Sequence, residues 1–565
     1  MAPVIPRSLS TQHWLLLGIV IMALAYQFLT TTLLRESFAG DEGFYGTVSL
    51  NMAQSWDYWL HPTQVPEGTF ETERARLGHP CIHCMAMTMA AKLFGGGIIP
   101  FQLISLASFA LVLYYIHRNL SLWDGRAADY AVFLTAISPV ILSEFRFLQA
   151  EPLMAAAGMA GIYFAVLGVL KNKIWLSALA GGCFGIAFLT KLWLSFPYPF
   201  AGGVAVILLS RLQGQTISWL LKYLFLLVLT FVLISALHLL AVWIWTPEDM
   251  EFWLRDIYFS LFIGEGVQGT KLHGDSPDLP SNWAQPFWYY FAITYRNHFF
   301  LLPIVALGAP YVPRRVYPAL TWIAPGIASI VLLSAFAIKS SLYILSSTLF
   351  IYALAGLCLS ALLSKTEHLS LPRNLWNIGL GVLILLLLLG VLLAPPQVSL
   401  IYKGLHTVVM LFLLGVLYLA TSEDHRRTEV TFLWGSLALF VLFLGGDLAS
   451  RYPSDCVLAD LIRPYVKDVP PNKVAFVAPN FKSFQLYLFK RGRYWKDTPV
   501  KLSPEAFFKE MQLQGIKVFL IGPEEWQNPA LTPIIEYMVC HAKEITDQFR
   551  QQSGFITDRR VFVFP

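Results

Sequence analysis

The chain has 565 residues, of which 56% are hydrophobic and only 13% are Asp, Glu, Lys or Arg, and its mean hydropathy is +0.58. Soluble domains carry about 25% charged residues, so these values exclude an ordinary soluble protein and predict a polytopic membrane protein. The net charge of +5 is small and spread over many loops, which gives no indication of a nucleic-acid partner. Six cysteines in a chain of this length form no disulfide framework.

Apolar segments long enough to cross a bilayer recur from residue 13 to residue 448. The first is too long for the apolar core of a signal peptide and lacks a small-residue cleavage site, so we expect a retained span. Thirteen spans are predicted, which puts the two chain ends on opposite sides of the membrane. Their ranges are 13–34, 97–116, 127–143, 152–170, 174–190, 192–210, 218–245, 296–312, 317–337, 341–363, 375–395, 404–421 and 430–448.

The basic residues of the short loops are divided unequally between the two sides of the membrane. One set of alternate loops carries paired basic residues, such as Lys171 with Lys173, whereas the other set carries mostly single ones. By the positive-inside rule the first set and the N-terminus are cytoplasmic. The long loops 35–96 and 246–295 and the segment after residue 449 are then extracytoplasmic.

The composition changes after residue 449, so we divide the chain into a transmembrane domain, 1–449, and a C-terminal domain, 450–565. Short apolar strands alternate there with helix-like stretches, which predicts a small α/β domain with a mainly parallel sheet. The predicted strands are 473–477, 516–521 and 560–564, and the predicted helices are 503–514 and 532–551. Cys456 and Cys540 either form a disulfide in this domain or remain two separate buried thiols.

Two adjacent carboxylates, Asp41 and Glu42, follow the first span. One interpretation, without any function, is that these carboxylates lie in water at the end of that span. Gly40 and Gly43 on either side let the backbone turn tightly or approach a ligand, which favours a functional role. Tyr45 begins a segment, extending to about residue 59, that has the pattern of an amphipathic helix lying on the membrane.

Other ionisable residues fall on the same extracytoplasmic face, and charges at membrane depth are usually functional. They are His79, Arg146, Glu151, Lys191, Arg296 and Lys339. Glu151 opens a predicted span, so it is either a carboxylate favoured by the helix dipole or a functional acid with Arg146 as its partner. Lys191 either snorkels to the interface or presents a cation to a phosphate. Lys339 lies between two spans in a similar position, together with Tyr343.

Two histidines and two cysteines lie close together in the first long loop: His79, Cys81, His83 and Cys84. His79 and His83 would share one face of a helix. Pro80 lies between them, however, and the spacing fits no established zinc pattern. We therefore expect a histidine at a phosphate or acceptor site rather than a metal centre.

In combination, these motifs resemble those of GT-C fold glycosyltransferases. The resemblance is strongest to the branch that contains protein O-mannosyltransferases and lipid A aminoarabinose transferases. Four segments carry it, in the order that the branch has them: 41–45 (Asp-Glu-Gly-Phe-Tyr), 78–82 with 92–95 (Gly-His-Pro-Cys-Ile and Lys-Leu-Phe-Gly), 146–153 (Arg-Phe-Leu-Gln-Ala-Glu-Pro-Leu) and 185–191 (Gly-Ile-Ala-Phe-Leu-Thr-Lys). Lys339 and Tyr343 are similar to a later Lys and Tyr pair. The chain departs from the branch at Cys81, where the branch has a second Pro, at Glu151, where Asp is commoner, and after Lys191, where Leu-Trp replaces Gly-Pro. The C-terminal domain matches no motif of the branch.

The resemblance implies a polytopic GT-C membrane enzyme that takes a sugar from a polyprenyl-phosphate donor and inverts the anomeric carbon. Asp41 would be the general base, and Glu151 would assist by orienting the acceptor or holding Arg146. Lys191, Lys339, Arg296 and His79 would hold the donor phosphate. The remaining candidate substrate contacts are Glu42, Tyr45, Arg146 and Tyr343. No metal or other cofactor is required, because cations of the protein would neutralise the phosphate.

The sequence leaves the acceptor open among lipid A, another envelope glycan and a protein. A flippase for lipid-linked sugars is the alternative function, although transporters usually bind near the bilayer midplane and the charges here gather on one face. A receptor or assembly scaffold is a third possibility. The one Asn-x-Ser/Thr site, at Asn119, falls on the predicted cytoplasmic side, so a bacterial inner membrane is our expected location.

Overall fold

A computed structural model of the chain describes most of the residues between 82 and 364 and short parts elsewhere. Apart from the single residues Gly18, Ser49 and Gly435, the described ranges are 20–25, 45–46, 52–53, 82–95, 98–146, 150–251, 253–254, 288–298, 301–334, 344–364, 474–477, 518–521, 532–544 and 560–563. The predicted spans at 375–395 and 404–421, and the predicted helix at 503–514, lie outside these ranges.

The transmembrane part is helical throughout its described residues. Its helices are α1 (Ile82–Phe94), α2 (Ile98–Ser121), α3 (Gly125–Ala136), α4 (Pro139–Arg146), α5 (Ala150–Leu170), α6 (Trp175–Lys191), α7 (Pro197–Leu212), α8 (Ile217–Trp245), α9 (Tyr289–His298), α10 (Leu301–Gly308), α11 (Leu320–Ser334) and α12 (Leu345–Ser364). Short 3-10 turns at Leu192–Ser195, Pro247–Asp249, Ala309–Tyr311 and Arg314–Ala319 connect or extend them. Residues 20–25 and 45–46 are helical as well.

Six described segments are long and apolar enough to cross a membrane: Pro100–Ser121, Ala150–Leu170, Trp175–Ser195, Ile217–Trp245, Arg314–Ser334 and Leu345–Leu363. They coincide with six of the thirteen predicted spans. One further predicted span, 127–143, is broken in the structure into α3 and α4, and the described residues of 296–312 lie in α9, in α10 and in the turn that follows α10. Proline explains the break, because Pro139 cannot donate a backbone hydrogen bond in a continuous helix.

Helix α5 is the centre of the transmembrane core and packs against α2, α6 and α7. Sixteen of its 21 residues are buried, so its sequence shows no apolar stripe, as expected of a helix surrounded by others. Gly158 and Gly168 allow close approach on two sides, since a Cβ at either position would overlap the side chain of Tyr198 or of Tyr223. At the predicted cytoplasmic end, Asn119 of α2 donates from Nδ2 to the Met159 carbonyl at 3.1 Å.

Side-chain caps define where several helices begin. Asp124 accepts the Ala127 N–H at 3.0 Å and starts α3. Thr216 accepts the Trp219 N–H at 3.2 Å and starts α8. These hydrogen bonds satisfy backbone donors that lack a partner within the first helical turn. Local sequence therefore sets these two boundaries.

A buried polar network ties the break between α3 and α4 to two other helices. The Ser138 and Tyr352 hydroxyls lie 2.5 Å apart, and the Tyr352 hydroxyl also lies 3.0 Å from Nδ1 of His298. Ser138 accepts the Ile141 N–H at 3.3 Å as the cap of α4. All three side chains in the network are buried, so it fixes α4, α9 and α12 relative to one another.

The described residues of the predicted C-terminal domain contain a four-stranded sheet. Its strands are β1 (Val474–Val477), β2 (Val518–Ile521), β3 (Lys543–Glu544) and β4 (Arg560–Val563), in the order β1-β2-β4-β3. The three predicted strands are present. The β1–β2 pair is parallel, with Val474 opposite Val518, whereas β4 is antiparallel to both β2 and β3.

Two predictions for this domain are wrong. The sheet is mixed rather than mainly parallel, because an apolar strand such as β4 carries no signal of its direction in its sequence. The predicted helix 532–551 ends early: helix α13 covers Thr532–His541, and β3 follows at once. The β3 segment forms a ladder with β4, and this long-range pairing overrides the local helical pattern.

Candidate active site

Lys191 is the last residue of α6, at a sharp change in chain direction. The next residue, Leu192, has a φ of 47°, a left-handed conformation that costs energy in any residue other than glycine. In the glycosyltransferase branch that the sequence resembles, glycine follows this lysine, whereas this chain has a buried leucine there. Strained backbone of this kind concentrates at functional sites, which makes the Lys191–Leu192 junction a candidate.

The ammonium group of Lys191 lies between an acid and a phenol. Its Nζ is 3.0 Å from Oε1 of Glu151, the second residue of α5, and the two side chains are only 10% and 2% exposed. The same Nζ donates to the Tyr45 hydroxyl at 3.1 Å and lies 5.6 Å from the Tyr45 ring centroid. A buried ion pair that also hydrogen-bonds a phenol holds its groups in one geometry, and removing one member is costly.

Tyr45 is in turn fixed by contacts with the first long loop and α1. Its ring packs edge-on against the His83 ring, with centroids 5.8 Å apart. Ser49 donates to the Tyr45 carbonyl at 2.6 Å, and Thr88 donates to the Ser49 carbonyl at 3.0 Å. The four side chains Tyr45, His83, Glu151 and Lys191, which we call the buried cluster, thus join three distant parts of the chain.

A second carboxyl group, that of Glu144, lies near the buried cluster on α4. Its Oε2 is buried and has no hydrogen-bond partner among the described residues. Glu144 follows the predicted span 127–143.

A small apolar cluster lies beside the 3-10 turn that follows Lys191. It consists of Tyr290, Ile293, Ile330, Leu333 and Ile344, with Leu194 packed against it. Arg296 is on the same helix as Ile293, and Tyr343 directly precedes Ile344. The helix that carries Arg296, the residue Ile344 and the turn after Lys191 therefore lie together in one region of the fold.

The structure thus brings together three of the predicted site residues: Tyr45, Glu151 and Lys191. Arg146 ends α4 and Arg296 lies in α9, but their side chains are outside the described part. Asp41, Glu42, His79, Lys339 and Tyr343 also lie outside the described residues. The partner that the structure gives Glu151 is Lys191, whereas the sequence suggested Arg146.

Two members of this region were missed or misread from the sequence. His83 was considered only as a metal ligand, and the structure places it against Tyr45. Glu144 was not singled out, although the same signal that marks Glu151 was present. It is a carboxylate in the apolar run Val-Ile-Leu-Ser-Glu-Phe, at the end of a predicted span.

The four cysteines that the structure describes are of two kinds, disulfide-bonded and free. Cys84 is disulfide-bonded, so its sulfur is not available as a thiolate ligand. Cys183, Cys358 and Cys540 are free, and Cys540 is exposed, which excludes both sequence-based interpretations of Cys540, a disulfide with Cys456 and a buried thiol. Within the described ranges no group of three His, Cys, Asp or Glu side chains could hold a metal ion.

Comparison with known proteins gives a match by structure and none by sequence. No protein-family model matches the chain, and no curated protein matches its sequence significantly. The chain is similar to the crystal structure of ArnT from Cupriavidus metallidurans bound to undecaprenyl phosphate, with a TM-score of 0.66 and 18% identity over 98% of both chains. The chain has the GT-C fold.

The structure comparison also gives two further matches. The apo form of the same ArnT gives a TM-score of 0.63 at 17% identity, again over 98% of both chains. The apo oligosaccharyltransferase of Archaeoglobus fulgidus gives 0.48 at 12% identity, over 91% of this chain and 70% of that one. The GT-C fold and the six apolar helices confirm the predicted fold family and a multi-pass membrane protein.

Proposed function

We propose that the chain is an integral membrane glycosyltransferase. In this proposal it moves a sugar from a polyprenyl-phosphate donor to a hydroxyl or phosphate of an envelope acceptor, on the extracytoplasmic face. The observation that carries the proposal is the buried cluster. Tyr45, Glu151 and Lys191 come from three motif segments that the sequence marks separately, and they make direct contacts in the structure.

The cluster also limits how far away the proposed base can be. Asp41 precedes Tyr45 by four residues, and four residues of fully extended chain span at most about 14 Å. His79 precedes His83 by the same number. The two loop residues that the resemblance assigns to catalysis and to phosphate binding are therefore each joined to a member of the buried cluster by at most about 14 Å of chain.

In the proposed reaction, an oxygen of the acceptor attacks the anomeric carbon of the donor sugar and forms the new glycosidic bond. The bond between that carbon and the phosphate oxygen breaks, and its electron pair leaves with the polyprenyl phosphate. Asp41 takes the proton of the acceptor hydroxyl as general base. Attack from the face opposite the leaving group inverts the anomeric carbon.

The developing charge on the phosphate requires fixed cations or N–H donors near the membrane surface. Arg296, Lys339 and His79 are the proposed cations. Lys191 is locally neutralised by Glu151, so we assign to it the positioning of Glu151 and Tyr45 in addition to contact with the phosphate. No metal or other cofactor is part of the proposal.

The nature of the donor is supported by a neighbour of the same fold. ArnT of Cupriavidus metallidurans was crystallised with undecaprenyl phosphate, which is the leaving group that a polyprenyl-phosphate sugar would release. Helices such as α8, whose side chains are largely exposed along its 29 residues, offer apolar surface to a lipid chain. The sugar and the acceptor are not assigned.

Purified full-length protein incubated with a radiolabelled polyprenyl-phosphate sugar and an envelope extract tests the proposal. The proposal is supported if the radiolabel appears in an acceptor molecule and remains there after the donor lipid has been removed. Movement of labelled donor across vesicle membranes without transfer would instead show a flippase and contradict it. An otherwise identical incubation without protein is the control.

A further inference from the structure

The disulfide of Cys84 has a partner that elimination narrows to two residues. The chain has six cysteines, and Cys84 is disulfide-bonded. Three of the other five are free: Cys183, Cys358 and Cys540. The partner within this chain is therefore either Cys81 or Cys456.

The position of Cys84 in the first turn of α1 favours Cys81. Cys81 directly precedes Ile82, the first residue of α1, and lies three residues before Cys84. Residues three apart on a helix have Cβ atoms about 5–6 Å apart, and a disulfide requires about 3.5–4.5 Å. The residue before a helix need not have helical dihedral angles, so a small backbone change there closes the gap. A bond to Cys456 would close a much longer loop, at a larger cost in chain entropy.

The start of α1 lacks the side chains that usually define a helix start. Its first turn contains no acidic residue. The residue before it is Cys81, whereas Ser, Thr, Asp or Asn would accept a hydrogen bond from the free N–H groups of the first turn. A covalent bond across this turn would fix the beginning of α1 where no capping side chain does.

The turn that the disulfide would fix is joined to the buried cluster. His83 is buried, and its ring packs edge-on against the Tyr45 ring at a centroid distance of 5.8 Å. The Thr88 hydroxyl, which donates to the Ser49 carbonyl, also lies 2.7 Å from the Cys84 carbonyl. A shift of this turn would therefore reach Tyr45.

We propose that Cys81 and Cys84 form a disulfide that fixes the first turn of α1 and thereby positions His83 against Tyr45. The bond forms when the two thiols pass two electrons and two protons to a disulfide-bearing oxidant, which becomes a dithiol. The loop 35–96 is predicted to be extracytoplasmic, where disulfides persist. The assignment of the partner is independent of the proposed function. Its catalytic consequence, the placement of Tyr45 beside Lys191, rests on that function.

Mass spectrometry of the full-length protein identifies the partner when the protein is alkylated in denaturant without a reductant and digested with trypsin. Trypsin places Cys81 and Cys84 on the peptide 77–92, and Cys456 on the peptide 452–467. We expect the peptide 77–92 to be unalkylated and lighter than its reduced form by two hydrogen atoms. A link between the two peptides, or an alkylated Cys84, would overturn the proposal.

Two matched variants repeat this test by substitution. Cys81→Ala should make Cys84 available to alkylation in denaturant, whereas Cys456→Ala should leave it protected. Alanine is used because serine at position 81 would supply a new helix cap. The opposite result, in which Cys456→Ala and not Cys81→Ala exposes Cys84, would show that Cys456 is the partner and contradict the proposal.

The positioning role has a spectroscopic readout that a bond without this role would not change. In protein with isotopically labelled histidine, the ring signal of His83, assigned with His83→Gln, should carry a ring-current shift that Tyr45→Leu abolishes. Cys81→Ala should move the signal toward its position in Tyr45→Leu, and Cys456→Ala should not move it. An unmoved signal in Cys81→Ala would refute the positioning role. None of these readouts needs enzyme activity, so an inactive protein with the expected bond and shift would contradict the proposed function alone.

Discussion

Replacing Lys191 with methionine removes the cation that lies 3.0 Å from Oε1 of Glu151 while keeping a long apolar side chain. Glu151 is 2% exposed, so water cannot replace the lost partner. Glu151 then either remains charged without compensation or takes up a proton. Breaking a buried ion pair in this way costs about 3–5 kcal/mol of stability.

The distance between Lys191 Nζ and Glu151 Oε1 gives an energy of similar size. Two unit charges 3.0 Å apart attract by about 5 kcal/mol at an effective dielectric constant of about 20. The double variant Lys191→Met/Glu151→Gln removes both charges together, so most of the loss should be recovered. We expect each single variant to lose about 3–5 kcal/mol and the double variant to lie within about 2 kcal/mol of the wild type.

Denaturant titration of the purified protein in mixed micelles, monitored by tryptophan fluorescence, measures these free energies of unfolding. Lys222→Met is the matched control, because Lys222 is an exposed lysine on α8, and it should change stability by less than about 0.5 kcal/mol. If the losses of the two single variants simply add in the double variant, Lys191 and Glu151 do not form an energetic pair, and the reasoning about the buried cluster fails.

Three further predictions concern other parts of the chain. Leu192→Gly should be more stable than Leu192→Ala by about 1 kcal/mol, because only glycine accepts a φ of 47° without strain. This is the reverse of the usual order of glycine and alanine. If thermal melts show that the alanine variant is the more stable one, the backbone at Leu192 is not strained. Tyr352→Phe should lose about 1–3 kcal/mol of stability in the same melts, because Ser138 and His298 lose a buried hydrogen-bond partner, and an unchanged melting temperature would contradict the network. A membrane-impermeant maleimide should label the exposed Cys540 in intact cells but not its serine variant, whereas labelling only after permeabilisation would place the C-terminal domain in the cytoplasm.

The sequence predicts the helices of the transmembrane part well because apolar length is a strong and local signal. The helix that ends at Lys191 and the one that begins beside Glu151 were located within two residues. The break within the span 127–143 was missed, since the kink at Ser138 also depends on contacts with Tyr352, far away in the chain. The antiparallel direction of β4 was missed because it too depends on pairing with strands that are distant in the chain.

Three of the predicted site residues, Tyr45, Glu151 and Lys191, lie together in the structure, but the contacts between them were not predicted. Glu151 and Lys191 were recognised as charges on one face, yet their ion pair joins residues 40 positions apart and is decided by how α5 and α6 pack. The contact of His83 with Tyr45 has the same origin. Glu144 could have been found from the sequence by the rule that selected Glu151.

The central claim is that the chain is a glycosyltransferase with Asp41 as its base. The most direct test compares transfer of a radiolabelled sugar from a polyprenyl-phosphate donor by the wild type and by Asp41→Asn, with membrane insertion and abundance measured in parallel. Labelled acceptor is expected with the wild type, and none above background with an Asp41→Asn protein that inserts normally. Transfer by Asp41→Asn at the wild-type rate would contradict it.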